Sequence, residues 1–212
     1  MKRRAALILG VVLLLAGISG VAAWRWWHGR PPYEPEALRP RATLQLTDQA
    51  TADAALRPVN AEFAGDGDQI FLGRVSWVQP PRRPGNNSFR IVVLDKRSHL
   101  MPGFIAATSA RPDDVGTGLD GSLDVAEKRY PWLRGIGARE IDGSYRSSGS
   151  AVFVSAVTAS PVTFQFVLRP ARPETSPETA VPTAPANAAD LLVALISVGP
   201  DGQVYWAERL LN

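Results

Sequence analysis

His28 and His99 are the only imidazoles in this 212-residue chain, and it contains no cysteine. Thiol catalysis, thiolate metal sites and disulfides are therefore excluded together. His99 follows Asp95 by four positions and adjoins Ser98, so a Ser/His/Asp set can be drawn, with the imidazole as base and the carboxylate fixing its tautomer. The set is weak as a triad. Neighbours in sequence do not face one another as triad members must, and the chain has no Gly-x-Ser-x-Gly elbow. Glu127 and Glu140 are the carboxylates placed to act as an acid and base pair on a glycosidic bond, although glutamates on a helix more often decorate or cap it.

Four aspartates, Asp113, Asp114, Asp120 and Asp124, surround Gly116-Thr-Gly118-Leu-Asp120. That run has the composition of one turn of a calcium-binding nonapeptide repeat, but one copy lacks the stacked neighbours such turns need. Asp66-Gly67-Asp68 lacks the downstream pattern of an EF-hand. Both acidic stretches read as turn formers. No phosphate-cradling glycine loop, His-Glu-x-x-His or paired-cysteine motif occurs, so no catalytic residue, cofactor or metal is assigned from the sequence.

Aromatic residues offer a different chemistry, that of a binding surface. Trp77 and Trp206 fall in strand-like stretches and suit a core. Tyr130 and Trp132 bracket Pro131 ahead of Gly135-Ile-Gly137, and with Arg134 and Arg139 they form the first interface candidate. Arg82 and Arg83, at a proline-rich tip, form the second.

The elements that must position these residues are read from periodicity. Asp48 or Thr47 is placed to cap a short helix that Pro58 interrupts. Gln69–Val78 alternates as a strand, with Phe89–Leu94 as its expected hairpin partner across Gln79–Ser88. Residues 95–121, dense in Gly, Asp and Pro, read as loop. A helix follows from a Ser122 cap through Arg129, with acidic residues early and basic ones late. Ala151–Val157 and Val162–Leu168 read as strands around Ala159-Ser-Pro161, and Leu191–Val198 and Gln203–Leu210 form a hairpin across Gly199-Pro-Asp-Gly202. Between them, residues 170–187 hold five prolines with Thr, Ser and Glu and read as a disordered insertion. The expected fold is α+β, one mostly antiparallel sheet domain with two or three helices.

Ahead of the domain, Lys2-Arg3-Arg4 precedes an uncharged run from Ala5 to Trp24. Twenty helical residues rise about 30 Å, the thickness of a bilayer's hydrocarbon core. Trp24, Arg25, Trp26 and Trp27 supply the interfacial anchors. The expected organisation is a cytoplasmic tail at 1–4, a transmembrane signal-anchor at 5–27, a stalk at 28–42 and an exported domain at 43–212. The rival reading is a signal peptide cleaved after Val21-Ala22-Ala23, leaving a soluble periplasmic protein.

Charge is distributed accordingly. The isoelectric point is 9.6, yet residues 1–30 hold five Lys/Arg and no Asp/Glu. Of the chain's 23 basic and 20 acidic residues, 18 and 20 therefore remain in 31–212, a net of −2. The exported part carries no basic stripe with interleaved aromatics, which excludes nucleic acid as a partner. Arginine outnumbers lysine 20 to 3, a base-composition bias that suggests a high-GC bacterium, and with the N-terminal segment the expected location is the bacterial inner membrane. The expected function is non-enzymatic: an exported domain that binds another envelope protein as assembly factor, complex subunit or inhibitor, with the bilayer as its second partner. An envelope hydrolase using the His or carboxylate residues and a small-ligand or lipid-binding module are the alternatives.

Overall fold

The computed structural model describes residues 17, 19, 20, 30–56, 67–79, 87–97, 103–118, 120–136, 138–141, 144–147, 151–155, 157–168 and 185–211. Gly17, Ser19 and Gly20 are helical; among the described residues no helix is long and apolar enough to cross a membrane. Three further helices follow, α1 (Pro35–Leu38), α2 (Gln49–Leu56) and α3 (Gly121–Arg129). The strands in chain order are β1 (Arg41–Thr47), β2 (Gln69–Ser76), β3 (Ser88–Asp95), β4 (Gly103–Ser109), β5 (Val115–Gly118), β6 (Ala138–Ile141), β7 (Ser144–Ser147), β8 (Ala151–Val154), β9 (Val162–Leu168), β10 (Leu191–Val198) and β11 (Val204–Leu211).

These strands make two principal antiparallel sheets, ordered β1-β2-β9-β4 and β11-β10-β3-β8-β5, with β6 and β7 as a separate hairpin. Alternation along β2 and β9 sends Phe71, Val75, Phe164 and Phe166 into the core, where they meet Phe89, Ile91 and Val93 from β3. Trp77 and Phe89, one from each side, lie 5.2 Å apart at their ring centroids. The α+β, mostly antiparallel expectation holds, with two facing sheets in place of one.

Two connections explain the difference. The sequence pairs β2 with β3, but β2 lies between β1 and β9 while β3 lies between β10 and β8. Residues 77–87 include turn formers at Pro84-Gly85-Asn86-Asn87, but the connection is longer than the roughly two to five residues of a tight hairpin loop, and it is long enough to cross the ~10 Å between stacked sheets. The chain crosses again after β8, through a 3-10 turn at Val157–Ala159, to enter β9 in the first sheet. Residues 95–121 are a correction too, since they contain β4 and β5. Ala106 and Ala107 are poor strand formers alone, but β4 pairs along its whole length with β9, and context overrides propensity.

Close packing at the centre requires a glycine. Gly73 stands opposite Phe164, and a methyl group there would overlap the Phe164 ring. Gly73→Ala is expected to destabilise the chain by about 1–2 kcal/mol through overpacking, read in a urea melt. Adding Phe164→Leu is expected to recover part of the loss, and a neutral Gly73→Ala would show that the ring moves freely.

The segment expected to be a stalk joins the core in its described part. In α1, Leu38 is fully buried, and its carbonyl accepts from the Val78 N–H at 2.7 Å. Arg39 follows at φ 44°, a left-handed turn that redirects the chain into β1. Tyr33 shares a 2.5 Å hydrogen bond with Ser197 Oγ of β10, and its ring lies 6.3 Å from that of Phe89. Burial pushes the Tyr33 hydroxyl up to about 12, against the opposing effect of the Ser197 bond.

Candidate interaction surface

Helix α3 begins where Asp120 accepts a hydrogen bond from the Ser122 N–H at 3.0 Å. The cap is thus Asp120 and not the expected Ser122, whose hydroxyl donates to the same carboxylate. The other carboxylate oxygen of Asp120 takes Arg90 Nε at 3.1 Å and Nη2 at 2.6 Å. Arg90 projects from β3, donates to the Phe89 carbonyl at 3.0 Å and lies 4.1 Å over the Phe153 ring. Burial pushes Asp120 up, but the Arg90 and Ser122 bonds prevail and hold its carboxyl below the usual range. This pair fastens α3 to the second sheet, on the strand face opposite Phe89 and Ile91.

Leu123 and Ala126 are buried, which leaves Val125, Lys128 and Arg129 exposed together at the i, i+3, i+4 spacing of one helical face. Pro131 stops the helix, and a 3-10 turn at Pro131–Leu133 carries Leu133 into the core. Glu127 accepts from the Gly135 N–H at 3.0 Å, with Gly135 at φ 100°, so this glutamate secures the turn. Arg129 donates to the Val204 carbonyl, joining the helix end to β11.

Tyr130 and Trp132 emerge half-buried from this arrangement, 6.0 Å apart at 60° between planes. Each ring carries a guanidinium: Arg129 lies 5.4 Å from the Tyr130 centroid and Arg209, from β11, 5.1 Å from that of Trp132. Arg134 is exposed beside them. Lys128, Arg129, Arg134 and Arg209 have no ion-pair partner among the described residues. The structure therefore brings together three of the expected interface residues, Tyr130, Trp132 and Arg134, and adds Arg129, Lys128 and Arg209. Arg209 could not be found from sequence, since it lies far from Trp132 along the chain.

The other expected residues fall elsewhere. Arg139 and Glu140 lie on β6, in register with Arg146 and Tyr145. His28, His99, Ser98, Arg82, Arg83, Trp24, Arg25, Trp26, Trp27 and Asp66 lie outside the described residues. Asp95 is fully buried and its two oxygens take Arg97 Nε at 3.0 Å and Nη2 at 2.8 Å. Asp114 accepts from Ser155 Oγ, and Asp120 serves Arg90. Among the described residues, no group of three or more His, Cys, Asp or Glu could hold a metal.

No protein-family model matches the chain, and no curated protein is significantly similar to it.

Proposed function

We propose that this chain is a non-enzymatic, single-pass protein of a bacterial inner membrane, whose periplasmic domain binds another cell-envelope protein as assembly factor, complex subunit or inhibitor. The observation that carries the reading is the surface on α3, the following turn and β11. Tyr130 and Trp132 are each covered by a guanidinium, and the residue types are those that dominate binding energy at protein interfaces, Trp, Tyr and Arg. The membrane part rests on the apolar run from Ala5 to Trp24 with its flanking Trp and Arg residues. Docking of Tyr33 and Leu38 to the core shortens the free part of the expected stalk to residues 28–32, so the domain would be held within about 20 Å of the bilayer.

The test is crosslinking in intact cells, then affinity capture of the full-length protein and mass spectrometry. A stoichiometric envelope protein is the expected result. Recovery of the chain alone, under conditions that preserve a control complex, removes the binding role.

A further inference from the structure

We infer that the partner segment seated on this surface is acidic, presenting Asp or Glu carboxylates around an apolar side chain; the inference rests on the protein-binding reading above. Its basis is a local excess of positive charge in a part of the chain that is acidic as a whole. Lys128, Arg129, Arg134 and Arg209 have no carboxylate within ion-pair distance among the described residues. None of the nearby acidic side chains among the described residues forms an ion pair with them: Asp124 stands one helical turn before Lys128 and Glu127 beside it, each without an ion-pair contact to the four cations. Glu127 is engaged by the Gly135 N–H, and Glu208 projects from β11 on the side opposite its neighbour Arg209, by strand alternation.

Two of the four cations are already held. Arg129 is fixed by the Val204 carbonyl and lies over the Tyr130 ring, and Arg209 lies over Trp132. A guanidinium held over an aromatic ring by cation–π attraction keeps N–H donors for a carboxylate, which it can take by two parallel bonds. Less side-chain entropy is lost when a partner binds such groups than when it must order free ones. Val125, 46 % exposed, is the apolar contact on the same helical face as Lys128 and Arg129.

A lipid surface shares the anionic chemistry but fits less well. Aromatic residues that enter a bilayer interface do so with exposed rings, whereas Tyr130 and Trp132 are half-buried and packed against the core.

The experiment places a photocrosslinking amino acid at Val125 of the full-length protein in cells and maps the crosslinked product. The expected product is a protein segment with excess Asp and Glu. The Lys128→Glu/Arg134→Glu variant is expected to lower crosslinking about tenfold with an unchanged melting temperature, and reversing the mapped carboxylates to Lys in the partner is expected to restore most of it. An uncharged or basic segment, or a yield indifferent to charge reversal, overturns the inference and leaves the protein-binding role standing. A lipid product, or silence at Val125 while other surface positions crosslink to protein, also overturns it. If no surface position gives a protein product, the binding role falls as well.

Discussion

Leu38→Ala is expected to lower the unfolding free energy of the full-length protein by about 2–5 kcal/mol, the range for truncating a buried leucine to alanine. Such a loss would be unusual for a residue in a tether. Leu38 has no exposed surface, sits among core residues of both sheets, and marks where the backbone is tied to Val78. Denaturant melts in detergent micelles read the effect, and a change under about 1 kcal/mol would show that residues 33–38 unfold separately from the sheets. Tyr33 gives the same proposition a pH signature. Its folded pKa, about 12, lies above the usual value near 10, so its contribution is complete below pH 10 and is lost as pH rises through 12. Tyr33→Phe removes that alkaline limb, and loses the Ser197 hydrogen bond at about 1 kcal/mol.

This region also shows where sequence reading stopped. Four prolines between Gly29 and Arg41 suggest a tether, and nothing local reveals that Leu38 is buried in the core and tied to Val78 or that Tyr33 reaches Ser197 of β10. The legible parts are those whose determinants are local. The β10–β11 hairpin carries its own turn, with Gly202 at φ 73°, and a strand buried on both faces that reads as continuously apolar. Helix α3 announces itself through its early acids, late bases and Pro131. Sheet membership was not legible, because alternation tells which side chains share a face but not which strand lies alongside. The binding surface divides the same way. Tyr130, Trp132 and Arg134 are close in sequence and could be named from it, while the Arg209 that lies over Trp132 comes from the last strand.

The Arg90–Asp120 pair has the same long-range character and the second large expected effect. Asp120→Ala is expected to destabilise the protein by about 3 kcal/mol, the low end for breaking a buried ion pair, since the carboxylate is one-third exposed while the Arg90 side chain is only 9 % exposed. The variant leaves that guanidinium buried without its acceptor and removes the cap of α3. Arg90→Met added to Asp120→Ala should restore much of the stability, because an apolar side chain needs no partner in that position. The sign of the pH dependence follows from the lowered Asp120 pKa. Its contribution is full above the unfolded value near 3.9 and is lost as pH falls through the folded value, so wild type should lose more stability than Asp120→Ala below about pH 4. A double-mutant cycle across this window measures the pair itself, and a coupling under about 0.5 kcal/mol would mean that α3 is held by its apolar face alone. The cycle bears on function as well, since α3 presents Val125, Lys128 and Arg129. If the pair orients the helix, Asp120→Ala should weaken partner crosslinking at temperatures where the domain is still folded, whereas Gly73→Ala, acting in the other sheet, should not.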